Sequence, residues 1–366
     1  MSIIIFIIIL GALVLVHEFG HFVFAKKVGM KVQEFGLGFP PKILTLWKKG
    51  ETEYTLNAIP FGGFVKIFGE NPDDKSISGP DSARSFVNKP KAPQALVLAA
   101  GVSFNLLFAW LLISLGFVFG MPTPVDYPGA TGVENPKLII TDIAKNSPAA
   151  AAGLKSGDEI VSLASLKDSL QNPTPVSVRD FIIVHGDRQL TILYRRGSGG
   201  GSVALTPSSG ILENQKAIGI SMDIIGTLKL PIPLAVLEGA KTTYLLAKET
   251  AIGLAIFVWQ AFAGRSNLSQ ITGPVGIVGI VGDVSRLGFV YLISLTALIS
   301  INLAVINLIP FPALDGGRLL FVLIEAIKGS RINPKVSNAL NSVGFALLLL
   351  LMVVVTFQDI FRIINP

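Results

Sequence analysis

Two histidines and a glutamate lie inside an apolar run near the start of the chain, "VLVHEFGHFVFA", residues 14–25. His17, Glu18 and His21 make the pattern H-E-x-x-H. On a helix, positions four apart share one face, with Cβ atoms about 5–6 Å apart. Both imidazoles then reach one Zn2+ at about 2.0–2.1 Å. Glu18 stands beside them, free to take a proton from metal-bound water. The alternative is two imidazoles and a carboxylate buried among apolar side chains with no ion. Inside a membrane that alternative leaves costly polar groups uncompensated. Of the 3 histidines in the chain, two fall in this motif, which favours the metal.

A catalytic zinc takes three protein ligands and keeps one position open. The chain has no cysteine, so the third ligand must be His, Asp or Glu. His185 lies in a polar stretch remote from the apolar runs. Asp315, in "NLIPFPALDGGRLL", ends an uncharged run that begins at residue 287. An acid at the end of a membrane span is a functional-site candidate. It could also cap a helix that starts at Asp-Gly-Gly, and the two roles are compatible. Pro310 and Pro312 break the run, and Gly316 and Gly317 loosen it just after Asp315. A broken helix lets a carboxylate approach a metal held by another helix. It also frees backbone groups that an extended peptide could use. Asn307 belongs to the same region, either bonding a substrate backbone or making an interhelical polar contact.

These side chains need elements to hold them. Of the 366 residues, 51% are hydrophobic and 15% charged, and the mean hydropathy is +0.63. A soluble domain carries about 25% charged residues. The expected fold is therefore a polytopic α-helical membrane protein with four transmembrane helices, a membrane-associated β-hairpin and one α+β extracytoplasmic domain. The net charge of +6 fits Lys and Arg gathered in cytoplasmic loops. No basic face interleaved with aromatics is visible, so no nucleic-acid partner is expected. The absence of cysteine excludes disulfides and thiolate metal sites.

A span takes about 20 apolar residues. Residues 1–120 divide into a first span at about 3–25, a loop 26–94 and a second span at about 95–120. Residues 121–228 are richer in Pro, Gly, Asp and Lys and read as the soluble domain. Residues 229–286 read as an amphipathic, interfacial helical segment. Residues 287–366 hold a third span at about 287–325 and a fourth at about 336–360. Residues 1–16 contain no Lys or Arg, so the first run reads as a span rather than a secretory signal. Lys26, Lys27 and Lys31 follow it and put the loop in the cytoplasm. Both termini and the soluble domain then lie outside, with the HEFGH motif toward the cytoplasmic side. In the loop, "KILTLWK" and "TEYTLNAI" flank the turn "KGE" as a hairpin, bracketed by "GLGFPPK" and "PFGGFVKIFGE". Such a hairpin enters a membrane only where protein covers it or it lines a wet cavity. The run "GSGGGS", 197–202, reads as a flexible loop, natural or spliced in.

HEFGH in the first span, with "NLIPFPALDGG" in the third, resembles the site-2 protease family of intramembrane zinc metalloproteases. "GLGFPPKI", "IPFGGFVKIFGE", "LAAGVSFN" and "ITGPVGI" follow in the family's usual order. The resemblance implies Zn2+ as cofactor and a bacterial inner-membrane location. It implies cleavage of single-span membrane-anchored proteins, notably anti-sigma factors. It implies His17, His21 and Asp315 as zinc ligands and Glu18 as general acid/base. Asn307, Asn105, Pro310 and Gly316 would handle substrate, and the hairpin at 42–59 would engage it as a strand. Val102 stands where many relatives carry Pro, which leaves the role of Asn105 open. Residues 121–228 resemble a PDZ module through "LIITDIAKNSPAAAAGLKSGDEIVSL". Its expected edge strand is 138–143, which would bind a peptide C-terminus; the module could instead be a size-excluding plug. A different class stays in view, a metal-binding membrane adaptor with a PDZ recruiting module. An adaptor has no need of Glu18. A transporter would show internal repeats, and none is visible.

Overall fold

The computed structural model describes residues 1–127, 132–166, 168–197, 199–212, 215–265 and 272–364. In chain order the elements begin with α1 (Ser2–Lys27), β1 (Val32–Lys49), β2 (Thr52–Ile67), α2 (Asp74–Ser78) and α3 (Lys91–Phe119). Next come β3 (Met121–Pro124), β4 (Glu134–Ile143), α4 (Pro148–Ala151), β5 (Glu159–Ala164), β6 (Ser169–Gln171) and α5 (Pro175–Val184). Then follow β7 (Leu190–Arg196), β8 (Gly199–Leu205), β9 (Ser208–Leu212), β10 (Gln215–Ala217) and β11 (Ile220–Leu228). The chain ends with α6 (Ile232–Phe262), α7 (Pro274–Leu287), α8 (Phe289–Asn307), α9 (Asp315–Lys328) and α10 (Pro334–Ile364).

The chain divides into two compact units. One comprises Met1–Ser114, Val236–Asp283 and Ile293–Pro366; the other comprises Leu115–Ala235 and Val284–Leu292. Four helices are long and apolar enough to cross a bilayer: Ser2–Lys27, Lys91–Phe119, Phe289–Asn307 and Pro334–Arg362. The protein is thus a multi-pass membrane protein with an added β-sheet region. α1 is apolar all round, as a lipid-embedded helix must be, and Lys26 and Lys27 in its last turn complement the helix dipole.

The third apolar run does not continue as one helix to residue 325. α8 stops at Asn307 and α9 starts at Asp315. Pro310 and Pro312 lack the N–H groups that would carry the helical ladder through the gap. α9 folds back on the gap so closely that a Cβ on Gly316 would strike the carbonyls of Leu308 and Ile309. One on Gly317 would strike that of Phe311.

The hairpin is longer than the two segments expected to form it. The stretches "GLGFPPK" and "PFGGFVKI" do not bracket the strands; they belong to them. The first part of β1 is paired on both sides: Phe35 with Tyr54 and Val65, Gly36 with Thr55 and Phe64. The distal half of β1 pairs with the start of β2, from Lys49 with Thr52 to Lys42 with Asn57. Residues 63–67 therefore form one margin of this small sheet and 42–49 the other. Gly36 is required by packing, since a Cβ there would lie 2.7 Å from Asn57 Nδ2. The base of the hairpin is anchored by a buried cluster that includes Ala25, Met30, Phe35, Val65, Val97 and Val322.

In the second unit the strands run β3-β11-β4-β5-β7-β8, with β6 paired to β5. Two expectations are overturned here. β4 is internal, bonded to β11 on one side and β5 on the other, so 138–143 is not an edge. An open stretch of edge also lies on β11: β3 pairs only with Ile225–Leu228, which leaves the start of the strand uncovered on that side, near α5. Nor is 197–202 simply a loop. Gly199–Ser202 are the first residues of β8, paired with Arg196, Arg195, Tyr194 and Leu193 of β7; Ser198 lies outside the described residues. The β7 side chains compensate for the bare glycine strand: a Cβ on Gly201 would already sit 3.0 Å from Tyr194 Oη.

Candidate metal centre

α1 brings His17 and His21 to one face, one turn apart, and both are buried. Their Nε2 atoms lie 3.2 Å apart. Asp315, the first residue of α9, comes from the far side of the broken run. Its Oδ2 lies 3.0 Å from His17 Nε2 and 3.2 Å from His21 Nε2. Among the described residues this is the one cluster of His, Asp or Glu side chains arranged to hold a metal ion.

The three donors fit zinc. Bonds of about 2.0–2.1 Å in a tetrahedron separate the ligand atoms by about 3.3–3.4 Å, close to the spacing here. Asp315 Oδ2 is buried and accepts no hydrogen bond from the described residues. An oxygen in that state is costly unless something cationic meets it. Two imidazoles and a carboxylate are also a donor set that suits this ion.

The neighbouring groups orient the ligands. His21 Nδ1 lies 2.8 Å from the Val97 carbonyl of α3, so Nδ1 carries the proton and Nε2 keeps its lone pair for a metal. The Asn105 amide stands 3.4 Å from His17 Nδ1. With its oxygen turned toward Nδ1–H, the buried Oδ1 gains the partner that it otherwise lacks, and His17 Nε2 is left free in the same way. Asn105 is itself fully buried, and its backbone carbonyl accepts from Ser300 Oγ at 2.8 Å. Glu18 faces the hairpin margin: its Oε2 accepts the backbone N–H of Val65 at 3.0 Å.

Close helix contact makes room for this arrangement. A Cβ on Gly20 of α1 would lie 2.6 Å from the Ala100 carbonyl of α3. A Cβ on Gly101 would lie 2.7 Å from Cε1 of both His17 and His21. Ahead of Asp315, Ala313 is held at φ 78°, in the left-handed region, and its N–H donates to Asn341 Oδ1 of α10 at 3.3 Å.

The structure thus brings together His17, His21, Asp315, Asn105 and, one residue along α1, Glu18. The other candidate positions are not among the clustered donors. Asn307 is half-buried at the end of α8, and Pro310 is exposed in the gap. Gly316 is buried against the gap backbone. His185 lies in the second unit, 3.5 Å from Asp168, and is not one of the clustered donors. Sequence reasoning did not single out Gly20, Gly101, Ala313, or the main-chain groups of Val65 and Val97. The one available signal was the small-residue run "LAAG" together with the glycine inside HEFGH.

A family model described as Peptidase family M50 matches residues 5–351. A putative zinc metalloprotease of Clostridium acetobutylicum is 33% identical over 368 residues, covering 100% of this chain and 98% of its own. The zinc metalloprotease RasP of Geobacillus kaustophilus is 30% identical over 439 residues, covering 98% and 97%. The regulator of sigma-W protease RasP of Bacillus subtilis is 31% identical over 438 residues, covering 99% of each. The cofactor implied by these relatives is Zn2+. The chain belongs to Peptidase family M50, the site-2 protease family, and is a zinc metalloprotease.

Proposed function

We propose that this protein is an intramembrane endopeptidase that cuts single-span, membrane-anchored proteins, anti-sigma factors among them. His17, His21 and Asp315 hold the zinc, and Glu18 is the general acid/base. The observation that carries the reading is the convergence of three metal-type donors from α1 and α9 within 3.0–3.2 Å. His17 and His21 lie in an apolar helix able to span a bilayer, and Asp315 begins the helix that follows another such span across the gap.

Bound there, zinc polarises a carbonyl and lowers the pKa of a water toward about 7. Glu18 Oε takes a proton from the attacking water and later passes it to the leaving amine nitrogen. Asn105 and the Val97 carbonyl keep the imidazoles turned to the ion. A helical substrate hides its peptide bonds in its own hydrogen bonds, so it must be extended before it is cut. The margin at 63–67 is suited to receive it as an added strand, because it lies next to Glu18. That moves the substrate strand from 42–59 to the segment after it. Asn307 ends α8 and Pro310 follows it in the gap before Asp315, and both would meet substrate along that gap.

The sheet of the second unit is read as a PDZ-like module lying outside the cytoplasm, with both termini on that side. Supporting this is a groove of about 580 Å³ between α5 and β11, lined by Val176, Arg179, Ile183, Lys216 and Ile220. Peptide binding there would extend the open edge of β11. A non-catalytic metal-binding adaptor is the contrasting class, and Glu18 separates the two. In detergent, with a tagged single-span substrate, Glu18→Gln should cut at least about 100-fold more slowly while keeping its zinc. A Glu18→Gln protein that cuts as fast as the parent refutes the proposal.

A further inference from the structure

We infer that the Glu70–Arg318 ion pair is a positioning device for the reaction, fixing the helix that carries Asp315 against the strand that holds Glu18. The inference rests on the protease reading above. Arg318 lies one helical turn after Asp315 on α9, and its guanidinium pairs with Glu70, three residues beyond the end of β2. Arg318 Nη2 also lies 3.5 Å from Asn71 Oδ1. Two residues before that end, the Val65 N–H holds Glu18 Oε2 at 3.0 Å. One strand and the turn that leaves it therefore touch both the proton-handling carboxylate and the carboxylate ligand's helix.

The start of α9 needs such a tie. Leu314 precedes it and supplies no side-chain cap. The segment before it contains a left-handed Ala313 and two prolines, so it cannot be stiffened as a continuous helix. A second tie, between Lys91 and Glu325, reaches α9 near its other end and cannot set the angle of its first turn. Where the chain leaves β2, Gly69 is held at φ 76° and packs against Ser85, which fixes where Glu70 emerges. This gives the "IFGE" end of the hairpin motif a task. Each partner's side chain is 24% exposed, so water screens the pair only in part.

An ordinary surface ion pair contributes almost nothing measurable, and its loss would leave turnover unchanged. A positioning pair behaves differently, since a displacement of about 1 Å at a reacting centre costs up to about 100-fold in rate. The test uses the full chain in detergent with a tagged single-span substrate. The variants are Glu70→Gln, Arg318→Gln, Arg318→Lys and the exchange of Glu70→Arg with Arg318→Glu. Turnover, KM, zinc content and melting temperature are read for each. With zinc saturating, the neutral variants should lose about ten-fold or more in kcat while KM stays nearly unchanged. Arg318→Lys should keep part of the rate, and the exchange should recover most of it, because the coupling belongs to the pair. Neutral variants within about two-fold of the parent overturn the inference. So does an exchange no faster than the better single variant. If the neutral variants do not fold, the exchange and Arg318→Lys decide in the same way. Failure of the parent to cut, or cutting by Glu18→Gln, would instead refute the protease reading.

Discussion

Replacing Gly101 by alanine sets two effects against each other. In a helix interior alanine is favoured over glycine by about 1 kcal/mol, so α3 itself should gain. The added methyl carbon, however, falls 2.7 Å from Cε1 of both His17 and His21. Carbon atoms rest at about 3.5–4.0 Å, so each ring must retreat by about 1 Å. Zinc bonds tolerate about 0.2 Å. Both rings are buried, and the Val97 carbonyl restrains His21 on the other side. Overpacking of a buried site costs about 1–3 kcal/mol, which offsets or exceeds the helix gain, so Gly101→Ala should fold with an equal or lower melting temperature. Its zinc affinity should drop at least about 100-fold, the upper end of what loss of a single outer-shell partner costs. The assay is metal analysis of protein purified in detergent, run beside substrate cleavage. A variant that retains stoichiometric zinc and cuts within about three-fold of the parent would refute the packing argument.

At Ala313, glycine removes the left-handed penalty of about 1–2 kcal/mol. Ala313→Gly should then keep zinc and activity, while Ala313→Val should lose about ten-fold in both; equal behaviour of the two in metal analysis and cleavage would contradict this. Asp158, fully buried, accepts from Arg196 Nε at 2.6 Å, Arg196 Nη2 at 2.7 Å and the Lys155 N–H at 2.8 Å. Asp158→Ala removes the shared acceptor of these three bonds, while the Arg196 side chain, 36% exposed, keeps water and the Gly153 carbonyl; the second unit should lose about 1–3 kcal/mol. Limited proteolysis of the full chain should show new cuts within 115–235 and no loss of zinc; unchanged resistance would count against it.

Much of this architecture is legible in local pattern. The i, i+4 spacing of His17 and His21 is a property of one helix, and the four spans announce themselves by apolar length alone. Asp315 stands out because it ends an uncharged run broken by prolines. What is not legible depends on contacts between segments far apart in sequence. Gly101 matters because it faces two rings 80 or more residues earlier in the chain. Val65 matters through an amide that every residue but proline carries. The internal place of β4 in its sheet follows from β11, some 80 residues later, returning to its side. The glycines at 199–201 form a strand only because β7 supplies a partner.

The groups that steady the centre differ in kind, and this bears on how such a protein can change over time. Glu18 and His21 are each held by the main chain, at Val65 and Val97. Substitutions at those two positions leave the donor and the acceptor in place, proline at 65 excepted, so drift there is buffered. Asn105 does its work with a side chain. Any loosening of the ensemble by mutation should therefore enter through His17 first.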